Sequence, residues 1–165
     1  MTLTDLASQL GDVLQRQGAQ VTTAESCTGG GIAEAITRVT GSSAWFEAGF
    51  VTYSNAQKTR QLEVSAALFS QVGAVSREVV EAMVRGAQRA SGARYGVAVS
   101  GVAGPGGGSP EKPVGTVWLA WAAADEVFAR RFVFAGDRQA VREQSVEAAL
   151  IGLISLANGE NPLQG

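Results

Sequence analysis

The sequence predicts an α/β protein: a three-layer α/β/α sandwich built on a mixed, mostly parallel sheet of about five strands. Three observations predict it. Five short runs rich in β-branched, aromatic or small apolar residues are spread along the 165 residues. Stretches with apolar residues at helical period precede or separate the first three, which suits crossover connections. The last two runs are joined only by "ADE", a connection short enough for an antiparallel hairpin. A chain of this length is expected to form one domain, residues 1–165 with its core over about 4–157, burying roughly 70% of the surface its unfolded form would expose.

Leu3, Leu6, Leu10, Val13 and Leu14 share one stripe, and Gly18 stands where a left-handed cap belongs, so residues 3–17 read as a first helix. "AQVTTAES" reads as a strand. From Thr28 the spacing of Ile32, Ile36 and Val39 returns to a helical period that should run to about Gly41. "WFEAGFVTYS" has the composition of a second strand, while "NAQKTRQLEV" and "SAALFSQVG" read as short helical or irregular pieces.

Ser76 offers an N-cap, with Glu78 in the first turn and Val79, Val80, Met83 and Ala87 as the buried stripe of a helix that Gly92 closes. "YGVAVSG" is the nearly all-apolar run of a central strand covered on both faces. The segment 101–113, "GVAGPGGGSPEKP", has five Gly and three Pro and should be a long functional loop. "VGTVWLAWAAA" and "EVFARRFVFAG" form the hairpin, and Asp137 caps a last helix carried by Val141, Ala149, Leu150 and Leu153. The tail "NGENPLQG" is expected to fray.

Composition removes several classes of function. Thirteen basic residues against 15 acidic give a net charge of −2, so no broad basic field exists to hold nucleic acid. The longest apolar run, near Val114 to Ala124, is well short of the ~20 residues that cross a bilayer, and no secretory leader opens the chain, so a cytoplasmic protein with no membrane partner is expected. One Cys and no His leave no ordinary zinc site and no internal disulfide. No metal or other cofactor is expected.

The chemistry concentrates in "TTAESCTGGG", residues 22–31, where Ser26 and Cys27 stand at a strand-to-helix junction followed by Thr28, Gly29 and Gly30. Unpaired amides of such a turn suit an anion or a developing oxyanion. Gly29 to Gly31 weaken helix propensity by roughly 0.5–1 kcal/mol each, a poor choice unless something must approach the backbone closely. The plainer reading is a capping turn with Ser26 or Thr28 as the cap.

Without histidine, a reactive Ser26 would need a lysine, a tyrosine or a carboxylate as its base. The chain has two lysines, Lys58 and Lys112. A lysine near pKa 10.4 becomes a competent base at pH 7 only if its pKa falls by roughly 3 units, so a catalytic lysine belongs inside the site. Cys27 is better explained by packing than as the nucleophile. Arg138 and Arg142 share one face at the start of the last helix, where the dipole disfavours them. They suit an anionic partner such as phosphate, or else form a solvated basic patch.

Taken together, "TTAESCTGG", "GSSAWFEAGFVTYSNAQK", "GAVS", "VSGVAGPGGGSPEKPVGTVW" and "GDRQAVR" resemble the nicotinamide-nucleotide amidases, the family also found as the C-terminal domain of CinA. The resemblance spans residues 4–155 in fixed motif order. It implies hydrolysis of nicotinamide mononucleotide to nicotinate mononucleotide and ammonia in NAD salvage, a small-molecule substrate, and a homo-oligomer. It makes Ser26 the nucleophile, Lys58 its base and Tyr53 the third member.

Backbone amides around Cys27, Thr28, Gly29 and Gly30 would then hold the oxyanion. Lys112, Arg138, Arg142 and the glycines of the loop, among them Gly104 and Gly107, are candidates for the phosphate. Val102 and Gly106 depart mildly from the family's loop pattern. Nothing here corresponds to the N-terminal domain of full-length CinA, so none of its activities carries over. The competing reading is a non-catalytic nucleotide-binding module tied to competence or DNA damage, in which an intact Ser26 and Lys58 would have no purpose.

Overall fold

In the computed structural model, which describes residues 1–164, the order of elements is α1 (Leu3–Gln17), β1 (Val21–Glu25), α2 (Gly31–Ile36), β2 (Phe46–Val51), α3 (Asn55–Leu62), α4 (Ala66–Gln71), α5 (Arg77–Ser91), β3 (Tyr95–Gly101), β4 (Thr116–Ala123), β5 (Glu126–Val133) and α6 (Arg138–Ala157). The five strands form one sheet in the order β2-β1-β3-β4-β5. β2, β1 and β3 run parallel, while β4 and β5 are antiparallel to their neighbours. The expected α/β/α sandwich on a mixed sheet is therefore the observed fold.

Burial follows position in the sheet. Every residue of β1 is buried and β3 is buried up to its last residue, as central strands covered on both faces must be, whereas edge strand β2 alternates. α1, α2 and α6 cover one face, and α5 with α3 and α4 covers the other. The first layer is closed by Trp121, whose indole N–H donates to the Ala149 carbonyl at 3.0 Å. A Cβ at Gly152 would stand 2.2 Å from that ring, so only glycine lets α6 lie this close to β4. Trp45 is buried too, Trp118 is partly buried, and Arg77 lies over the Trp118 ring.

Helix ends match the sequence signals at α1, α5 and α6: Gly18 and Gly92 are left-handed caps, and Ser76 and Asp137 accept amides of their helices. One expectation is corrected. The helix expected over 28–41 is confined to Gly31–Ile36, because Gly29 and Gly30 have φ of +60° and +104° and form a turn instead. Over the described part of the tail, the Glu160 amide donates to the Ser155 carbonyl at 2.9 Å, and Pro162 is buried. Gly165 lies outside the described residues. No helix among the described residues is long and apolar enough to cross a membrane.

Candidate active site

The topology creates a place where chemistry can sit. From β1 the chain passes to α2 on one face, and from adjacent β2 to α3 on the other, so the connections diverge and open a crevice at the carboxyl ends. Ser26 follows β1 directly, and Tyr53 and Lys58 follow β2. The turn is held from both sides. The Ser26 amide donates to the Val99 carbonyl of β3 at 3.1 Å, and the Glu25 carbonyl accepts the Thr52 amide at 2.9 Å.

Lys58 reaches the crevice from the first turn of α3, which Ser54 caps by accepting the Gln57 amide. Lys58 and Leu62, four residues apart, form the buried face of this helix. Only 1% of Lys58 is exposed. Its Nζ donates to Ser26 Oγ and to the Tyr53 carbonyl, each at 3.1 Å. No carboxylate pairs with it among the described residues. Burial lowers its pKa below the ordinary lysine value, with Cys27 working in the other direction. The neutral amine needed for proton abstraction is thereby favoured.

Cys27 is a different case. Burial pushes its thiol up to about 11, so sulfur stays protonated beside the serine. Its contribution to the site is its backbone. The Gly29 amide donates to the Ser26 carbonyl at 3.0 Å and the Gly31 amide to the Thr28 carbonyl at 3.0 Å, closing the turn. Among the described residues the amides of Thr28 and Gly30 have no acceptor and that of Cys27 meets only its own sulfur, so all three can turn to an oxyanion.

The sequence signals missed Glu25. This side chain is fully buried, and its carboxylate accepts the Ile32 amide at 2.8 Å, the Ala33 amide at 3.0 Å and the Thr28 hydroxyl. It thus caps α2, where Gly30 supplies no side-chain cap and neither Ser26 nor Thr28 does so. The available signal was a charged residue ending an otherwise neutral strand just before a glycine turn.

Tyr53 enters the site through its main chain. Its carbonyl accepts from Lys58, while its phenol, on a residue 57% exposed, accepts from an Arg138 guanidinium N–H at 2.8 Å. Arg138 also donates to the Gly104 carbonyl at 2.9 Å, which joins α6, the 102–115 loop and the turn after β2. Arg142 donates to the Thr28 carbonyl at 3.2 Å. Its Nε is shielded from solvent and has no acceptor among the described residues.

A cleft of about 860 Å³ begins at Thr28 and is lined by Gly31, Pro105, Asp137, Arg138 and Arg142. Its size suits a small-molecule ligand. Of the residues singled out in the sequence, Thr28, Arg138 and Arg142 line it, whereas Ser26, Cys27, Gly29, Gly30, Tyr53, Lys58, Gly104, Gly107 and Lys112 do not. The Lys112 ammonium donates to the Val72 carbonyl at 2.7 Å and ties the loop to the end of α4. Gly104 and Gly107 both have φ in the left-handed region and shape the loop.

Residues 3–157 match the CinA C-terminal domain family. The nicotinamide-nucleotide amidohydrolase PncC of Pseudomonas putida is 75% identical over 154 residues, covering 93% of this chain and 96% of that protein. Its counterpart from Escherichia coli K12 is 55% identical over 149 residues, 90% of each chain. Among solved structures, the CinA superfamily protein KP700603 of Klebsiella pneumoniae superimposes with a TM-score of 0.93 at 35% identity, over 96% of this chain and 99% of that one.

Proposed function

This chain belongs to the CinA C-terminal domain family, and from that premise we propose that it is a nicotinamide-nucleotide amidase of pyridine-nucleotide salvage, hydrolysing nicotinamide mononucleotide to nicotinate mononucleotide and ammonia. The observation that carries the reading is the contact of 3.1 Å between Ser26 Oγ and the Nζ of a buried Lys58 whose pKa burial depresses.

Neutral Lys58 takes the Ser26 proton as Oγ attacks the carboxamide carbon. The Tyr53 carbonyl accepts one amine hydrogen and so turns the nitrogen lone pair toward serine. The amides of Cys27, Thr28 and Gly30 receive the oxyanion. The C–N bond then breaks, and the Lys58 ammonium returns its proton to the leaving nitrogen as ammonia departs. Lys58 next deprotonates a water, which attacks the acyl carbon, and Ser26 leaves with that proton.

Arg138 and Arg142, on the cleft wall next to Thr28, bind the substrate phosphate, for which guanidinium forks are well matched. Ammonia release from nicotinamide mononucleotide and from nicotinamide riboside, with wild type and Ser26→Ala, tests the reading. Turnover of the mononucleotide, little of the riboside and none by the variant is expected. A wild type inert toward both substrates contradicts it.

A further inference from the structure

We propose that Glu25 is a positioning residue of this amidase: its buried carboxylate ties Thr28 and the first amides of α2 to the end of β1, and so aims the amides of Cys27, Thr28 and Gly30 at the reacting carbonyl. The inference rests on the amidase reading above and assigns a role to a group its chemical steps do not use.

A buried carboxylate without an ion-pair partner among the described residues is an expensive way to cap a six-residue helix. A neutral Ser, Thr or Asn at the cap position does that elsewhere with no buried charge. Glu25 does more than cap. It reaches seven and eight residues along the chain to the Ile32 and Ala33 amides, and three residues to the Thr28 hydroxyl. Every residue between, including Ser26 and the three turn amides, is therefore enclosed in a loop closed at both ends by one side chain.

The same carboxylate occupies the first-turn amides of α2, which would otherwise compete for negative charge. A developing oxyanion is left with the amides of Cys27, Thr28 and Gly30. Arg142, donating to the Thr28 carbonyl, braces the turn from outside. Gly29 and Gly30 bend easily, so the carboxylate supplies the rigidity their backbone lacks.

Loss of such alignment lowers the chemical step more than substrate binding, since misplacement of about 1 Å can cost 10²-fold in rate. Glu25→Gln keeps the shape but turns one acceptor oxygen into a donor facing an amide. Its kcat per folded molecule is expected to fall about 10- to 100-fold with KM within about twofold. Thr28→Val should fall in the same direction, Thr28→Ser should recover most of that loss, and the Glu25→Gln, Thr28→Val double variant should lose little beyond Glu25→Gln alone.

Wild type in the same assay separates the two readings: no ammonia from wild type overturns the amidase function itself. Turnover by wild type, with full kcat per folded Glu25→Gln and only a lower Tm, overturns the positioning role alone. If Glu25→Gln does not fold, the Thr28→Val and Thr28→Ser pair decides: equal kcat per folded molecule for both and for wild type contradicts the inference.

Discussion

The two lysines of this chain follow two parallel strands of one sheet, yet they occupy opposite kinds of region. Lys58 rises from the buried face of α3 into the crevice beside β1, where it meets only Ser26 Oγ and one carbonyl. Lys112 sits in the long loop after β3, partly exposed, and fastens that loop to the Val72 carbonyl. The difference teaches that a short, capped helix over a crevice can strip a lysine of water, while a glycine- and proline-rich loop uses the same side chain as a strap. The first environment favours the neutral amine that the proposed mechanism needs.

The largest effect that would break this contrast is at Lys58 itself. Lys58→Met is expected to cut kcat/KM for nicotinamide mononucleotide by at least about 10³-fold, as loss of a base acting with its nucleophile does. Initial rates across substrate concentrations measure it. In wild type, kcat/KM should rise with pH through the folded-state pKa of Lys58, below the ordinary lysine value of 10.5.

A smaller effect sharpens the comparison through stability. Because burial lowers the folded pKa, the unfolded chain binds the Lys58 proton more tightly than the native one. Native stability therefore drops as pH falls from 10.5 toward the folded value, and levels off below it. Lys58→Met escapes this cost. It should be the more stable protein at pH 7, with the advantage shrinking as pH approaches 10.5, read from denaturant midpoints across pH.

At Lys112 the expectation is slight. Lys112→Met should change kcat/KM by no more than about twofold, since its ammonium is engaged by the Val72 carbonyl and makes no contact with Ser26 or the turn after β1. A phosphate-sized loss of affinity there would erase the contrast. The smallest expected effect belongs to the Cys27 side chain. A thiol pushed up to about 11 should resist alkylation by iodoacetamide at pH 7, and Cys27→Ala should keep activity within about twofold.

How far these regions could be read in advance depended on whether the signal was local. The α1, α5 and α6 caps, the apolar run of β3 and the "ADE" hairpin are local patterns, and each stands where its residues indicated. The helix after Ser26 was overextended because the period of Ile32, Ile36 and Val39 outlasts the helix, which two left-handed glycines delay to Gly31. At the site, the absence of histidine left a lysine, a tyrosine or a carboxylate as the candidate base; the family resemblance singled out Lys58, which lies buried within 3.1 Å of Ser26 Oγ. The phenol of Tyr53 turning to Arg138, the strap made by Lys112 and the cap made by Glu25 are pairings across 85, 40 and 7 or 8 residues. No local pattern encodes the first two, and for Glu25 the one local signal was a charge ending a neutral strand before a glycine turn.

Rapid quenching of wild type with nicotinamide mononucleotide, followed by peptide mass spectrometry, tests the central assignment most directly. An acyl adduct on the peptide containing residues 22–31, mapped by fragmentation to Ser26 and absent from Lys58→Met, is the expected result. An adduct on Cys27, or turnover of the amide by Lys58→Met at the wild-type rate, would contradict the serine–lysine account.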